Sequence, residues 1–238
     1  VFEFQKEGLC GSTGIVKDEA RQLDPFENYP YLLTDEISNR KGLNKLFDES
    51  EIWYLLYTAV SAAKDFQKNK LKLGDVRPQN IFINEDGQVK LANTYSWPNE
   101  ENNYMKTVLN NDVTYLGTFV KLFSPEEVQE LQNGKHENSL ANLAEAFSIG
   151  LTIIDAGPLG DATSLYNLKS QTFDSEKATE LFSQWLGSEY SDFLKRTVLS
   201  LCELDPKSRS APAEGYSKLQ PYEDDIKNLK EFASSVQG

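Results

Sequence analysis

From Leu140 to Ala156 the chain runs almost wholly apolar at helical length, and no other stretch constrains the fold as strongly. Leu143, Phe147, Ile149, Leu151, Ile153 and Ile154 point several ways round a helical cylinder, so burying them requires protein on most sides. Such a helix belongs at the centre of a body, and Gly157-Pro158 stops it. With 238 residues and 39% hydrophobic content, the chain can supply the surrounding core as one large domain or two small lobes.

Around that centre the pattern is mainly helical. Glu51 to Lys70 reads as an amphipathic helix with Ile52, Leu55, Leu56, Ala59, Val60, Ala63 and Phe66 on the buried face and Ser50 as its cap. Further helices are predicted from Ser175 to Leu186, Tyr190 to Leu201 and Glu223 to Val236. Asn80-Ile81-Phe82-Ile83-Asn84 and Gln88-Val89-Lys90-Leu91-Ala92 flank Glu85-Asp86-Gly87, which predicts a tight hairpin. Val1 to Gly8 and Tyr29 to Ile37 read as strands, the second leading into a connector, with an extended loop between them. Asn93 to Phe123 is long, polar and irregular. The aromatic group Trp53, Tyr54 and Tyr57 reads as internal packing.

Charge narrows the partners. The balance of 24 basic and 37 acidic residues gives a formal charge of −13, which repels nucleic acid and anionic membranes. Lys68, Lys70 and Lys72 read as a solvated helix edge. Gly11-Ser12-Thr13-Gly14 lacks the following Lys-Ser/Thr of a phosphate-cradling loop and reads as a flexible connection. Cys10, Cys202 and His136 have no metal-ligand or disulfide spacing. No apolar run approaches the roughly 18 residues needed to span a bilayer, and the N-terminus lacks a secretory pattern. A soluble, intracellular protein is expected, cytoplasmic or cytoskeleton-associated.

Immediately before the hairpin stands Leu73-Gly74-Asp75-Val76-Arg77-Pro78-Gln79-Asn80-Ile81, and here the chain resembles the protein kinase family, whose catalytic loop reads His-Arg-Asp-Leu-Lys-Pro-Glu-Asn-Ile. The resemblance continues in order. Ser124-Pro125-Glu126 is similar to the family's Ala-Pro-Glu, Glu145-Ala146-Phe147-Ser148-Ile149-Gly150 to its Asp-x-Trp-Ser-x-Gly, and Leu204-Asp205-Pro206-Lys207-Ser208-Arg209 to its Asp-Pro-x-x-Arg. It implies an α+β, mainly helical, kinase-like C-terminal lobe over 38–238, with 1–37 as a remnant of small-lobe strands and hinge. It also implies a buried ion pair between Glu126 and Arg209, with Glu145 as a further structural residue. The family's glycine-rich loop, nucleotide lysine and partner glutamate have no counterpart in this sequence. Lys17, in Ile15-Val16-Lys17, lies on the wrong side of the small-lobe strands.

Phosphoryl transfer needs metal ions, a positioned acceptor hydroxyl and a lysine on the nucleotide phosphates. By the resemblance, Asp75 stands at the catalytic-base position and Asn80 at a metal-ligand position. The family's metal-binding Asp-Phe-Gly has become Asn93-Thr94-Tyr95, which puts a neutral amide at the main metal ligand. Leu73 and Gly74 replace His-Arg, and Arg77 replaces the loop lysine with altered geometry. The resemblance thus implies a pseudokinase with no required cofactor, in which Asp75 and Asn80 serve the loop's shape; Tyr95 and Trp97, bulky aromatics in a polar loop, are candidate partner anchors. Weak ATP and magnesium binding stays open. Its expected work is protein binding or scaffolding. A weakly active phosphotransferase and an architectural subunit of a large assembly are the alternatives.

Overall fold

The computed structural model describes residues 16–18, 21–23, 30–70, 73–74, 76–84, 87–91, 122–133, 141–158, 161–167, 170 and 172–222. In chain order the elements are β1 (Val16–Asp18), β2 (Arg21–Leu23), β3 (Tyr31–Leu32), α1 (Leu33–Leu43), α2 (Glu49–Lys68), β4 (Ile81–Ile83), β5 (Val89–Leu91), α3 (Pro125–Gln132) and α4 (Ala141–Ala156). There follow β6 (Tyr166–Asn167), β7 (Thr172–Phe173), α5 (Ser175–Leu186), α6 (Asp192–Leu201) and α7 (Pro212–Leu219). Single 3-10 turns occupy Pro78–Asn80, Ala162–Leu165 and Gln220–Tyr222. The fold is mostly helical, with a few short antiparallel strands.

Helix α4 is the centre that its sequence demands. Phe147, Ile149, Leu151, Ile153 and Ile154 are all buried although they point in different directions, because α2, α6 and α7 close round them. Each such side chain removed from water contributes roughly 1.5–3 kcal/mol. Two glycines set how closely the neighbours approach. A Cβ on Gly150 would lie 2.2 Å from the Cys202 Sγ at the end of α6, and one on Gly157 would lie 2.4 Å from Trp185. Cys202 is enclosed there, and burial pushes its thiol pKa up, so it is a small apolar filler and not a reactive group.

The predicted hairpin is present as β4 and β5, with Ile81 opposite Leu91, Phe82 opposite Lys90 and Ile83 opposite Val89. Ile81, Ile83, Val89 and Leu91 fill its inner face, and β3 adds a third strand. The Asn84 side chain accepts from the Gln88 N–H at 2.8 Å and closes the turn.

Several boundaries differ from the sequence reading. The strand expected from Tyr29 to Ile37 is only the two residues of β3, after which the chain turns into α1. Asp35 and Glu36 in the first turn and Arg40 and Lys41 in the last suit a helix dipole. Arg40 completes the helix from inside. It is buried with Glu36 (2.6 Å) and Glu51 (2.7 and 2.8 Å) and lies 3.9 Å from the Phe47 ring centroid. Burial pulls the guanidinium's pKa down, but its bonds to Glu51 and Glu36 outweigh that and hold it raised. Helix α2 starts behind Asp48 and not Ser50, because the Glu51 carboxylate reaches back to accept the Asp48 N–H at 2.7 Å. Part of the extended loop before Tyr29 is the paired strands β1 and β2, with Lys17 opposite Gln22. Helices α3 and α7 were not predicted. Each is short and opens on a proline, Pro125 and Pro212, a residue that by itself reads as a break. Helix α5 has its expected bounds, and α6 starts at Asp192 with the Ser191 hydroxyl capping the Leu194 N–H. The predicted strand at Val1–Gly8 and helix at Glu223–Val236 lie outside the described residues.

Candidate functional site

The loop between α2 and β4 is held from the central helix. Gly74 has φ 94, a backbone conformation that L side chains avoid, so glycine there has a steric reason as well as costing the loop a cation. Its N–H donates to the buried Glu145 carboxylate at 3.1 Å. Two residues on, the Val76 carbonyl accepts from the Thr152 hydroxyl at 3.3 Å, and Leu73 and Val76 are sealed in the core. Arg77 is only 6% exposed, and its extended backbone caps the 3-10 turn that Pro78 opens. Asn80 is half-buried at the end of that turn, its N–H bound to the Arg77 carbonyl at 2.9 Å. Asp75, Asn93, Tyr95 and Trp97 lie outside the described residues.

The structure brings Glu126 and Arg209 together. Arg209 Nη1 and Nη2 donate to the two carboxylate oxygens of Glu126 at 2.5 and 3.0 Å. Its Nε donates to the Glu203 carbonyl at 2.7 Å and Nη1 also reaches the Leu143 carbonyl at 2.9 Å, while the guanidinium carbon lies 4.8 Å from the Phe147 ring centroid. One cation thereby ties α3, the start of α4 and the α6–α7 connection together. Removing one partner of a buried pair like this costs about 3–5 kcal/mol, because the other charge is left in low dielectric. Ser124 and Glu127 cap α3 reciprocally: Ser124 N–H donates to the Glu127 carboxylate at 2.9 Å, and the Glu127 N–H to the Ser124 hydroxyl at 3.4 Å.

Glu145, Ser148 and Thr152 are buried polar side chains in a mostly apolar helix, and their spacing puts them on one face. Glu145 holds Gly74, Ser148 donates to the Leu122 carbonyl at 2.6 Å, and the Thr152 hydroxyl shares its one proton between the Ser148 carbonyl a turn back at 2.8 Å and the Val76 carbonyl at 3.3 Å. One stripe of α4 thus clamps the loop before the hairpin and the segment that leads into Ser124-Pro125-Glu126. Glu145 and Ser148 fall within the motif quoted from the sequence, whereas Thr152 lies beyond it. The signal was their recurrence at helical spacing inside a run where each hydroxyl needs a buried partner.

Among the described residues no group of three or more His, Cys, Asp or Glu side chains could hold a metal ion. No helix among them is long and apolar enough to cross a membrane.

No family model matches this chain, and no curated protein matches it by sequence. Many solved chains are similar to it in structure. One is the crystal structure of a Rad53 kinase domain with SCD2, with a TM-score of 0.59 at 13% sequence identity over 90% of this chain and 71% of that one. The likeness establishes a protein-kinase-like fold.

Proposed function

We propose that this kinase-like chain is a catalytically impaired module, a pseudokinase, that works by binding other proteins as a scaffold. The observation that carries the reading is a contrast between frame and reacting groups. Two contacts of the frame are made: Glu145 fastens Gly74, and Arg209 fastens Glu126. The groups that would handle phosphate and metal are replaced. Position 93 carries an asparagine where the resemblance calls for an anionic metal ligand, so that with Asn80 both metal-ligand positions hold neutral amides, while Asp75 stands at the base position. Magnesium, a small hard cation, is poorly served by such a set. Arg77, at the place of the lysine that would touch a transferred phosphate, has its side chain buried. Asp75 and Asn80 are then read as loop residues. Tyr95 and Trp97 remain candidate anchors for a partner, and the acidic composition disfavours nucleic acid and anionic membranes as partners.

Weak phosphotransfer is the second reading, favoured by the survival of Asp75 and Asn80. Thermal unfolding with ATP and magnesium separates the two, since a ligand that binds the folded state raises the midpoint by mass action. The scaffold reading expects an unchanged midpoint at millimolar nucleotide. A rise that grows with ATP and requires magnesium would favour the transferase.

A further inference from the structure

Near the start of α2, Trp53, Phe193 and Tyr222 stand in a row. The Trp53 and Phe193 ring centroids are 5.5 Å apart, and those of Phe193 and Tyr222 are 5.6 Å apart. Phe193 is 45% exposed and Tyr222 49%, two of the five large apolar side chains exposed among the described residues. The helical rise puts Trp53 about 20 Å from the end of α2 that feeds the loop, so this surface is separate from the candidate site.

The Trp53 ring is held in place beforehand. The Glu49 carboxylate accepts from the Trp53 indole N–H at 3.0 Å, the Ser191 N–H at 2.8 Å and the Ser191 hydroxyl at 2.5 Å. Burial raises its pKa, but the hydrogen bonds from Ser191 and Trp53 outweigh that, and the group stands below the usual carboxylate range. The beginnings of α2 and α6 are thereby locked together under the aromatic row, which lowers the ordering cost of binding to it.

Charge selects the occupant. Asp192, next to Phe193, has its side chain 80% exposed, and Glu189 is exposed on the other side of Ser191. Among the described residues, Lys195 bonds the Leu186 and Ser188 carbonyls at 3.1 and 3.0 Å and lies 3.6 Å from the Asp192 carboxylate, so that it and Arg196 stand against three carboxylates, Glu49, Glu189 and Asp192. With −13 on the whole chain, a second copy or an anionic surface is repelled. A guanidinium suits both features, because it lies flat on an aromatic face while its edge pairs with a carboxylate. The chain makes the same kind of contact internally, with Arg40 over Phe47 and Arg209 over Phe147.

We infer that the Trp53–Phe193–Tyr222 surface docks an arginine-bearing segment of a partner protein, its guanidinium groups over the rings and its N–H groups on Asp192 and Glu189. This rests on the protein-binding reading for the existence of a partner, and supplies that partner's chemistry. The test is fluorescence anisotropy with a labelled oligo-arginine peptide and its oligo-lysine counterpart, at about 150 mM salt where long-range attraction is screened. The arginine peptide is expected to bind more tightly. The Phe193→Ser, Tyr222→Ser double variant should lose about tenfold in affinity for it, down to the lysine level. If the double variant does not fold, Tyr222→Ser and Asp192→Asn singly carry the comparison, each with a loss. Equal binding of the two peptides, undiminished in the variants, would overturn the inference. So would a dimer in sedimentation that the ring variants abolish, which would assign the surface to a second copy. The assay contains neither ATP nor metal, so phosphotransfer found elsewhere would end the pseudokinase reading and leave this result standing.

Discussion

Asp155 stands in the last turn of α4 with its carboxyl group largely enclosed, where it accepts the Ala162 N–H at 2.8 Å. Burial pushes its pKa from 3.8 up to about 6; the Ala162 hydrogen bond and Lys41 oppose the rise, and Asp161 adds to it. The folded state therefore holds this proton more tightly than the unfolded chain does. Ionised Asp155 costs stability, a cost absent below the unfolded value and complete once the pH has risen past the folded one. Asp155→Asn keeps an oxygen for the Ala162 N–H and removes the charge. Its melting temperature should exceed the wild-type value at about pH 7.5, with the gap closing as the pH falls to about 4. A gap that stays constant would show that the carboxylate is solvated. Asp155 gave no signal in the sequence, since nothing in its neighbours reveals that a helix end will be enclosed.

At the scale of elements, the polar stripe on α4 explains why two loops far apart in sequence keep their shape. Thr152→Val retains volume and deletes the hydroxyl shared by the Ser148 and Val76 carbonyls, which should cost about 1 kcal/mol in denaturant unfolding. Glu145→Ala leaves the buried Gly74 N–H without its carboxylate and should cost about 1–3 kcal/mol. If both are neutral, the stripe does not clamp the loops. The long helices were legible because their apolar residues repeat at the helical period over many residues, and the hairpin because Glu85-Asp86-Gly87 carries a turn signal between two short apolar runs. Helices α3 and α7 offer only eight residues each, too few for periodicity to outweigh an opening proline. Helix α1 was misread because Tyr31-Leu32-Leu33 starts like a buried strand, while the residues that make it a helix, Glu36 and Arg40, are paid back by Glu51 from the next element. Such long-range pairing has no local trace.

For the whole molecule, four short motifs in the right order were enough to anticipate a kinase-like large lobe, and the structural likeness supports that at the level of fold. The pairing of Glu126 with Arg209 came from the resemblance, since 83 residues separate two charges that composition alone would place on the surface. The proposed pseudokinase reading turns on three positions, 75, 80 and 93, which by the resemblance hold the base and the metal ligands. The most direct measurement is transfer of labelled γ-phosphate from ATP with magnesium or manganese, to the chain itself and to a generic protein acceptor, for the wild type and Asp75→Asn side by side. The account predicts no transfer above background and no difference between the two proteins. Transfer by the wild type that Asp75→Asn abolishes would contradict it.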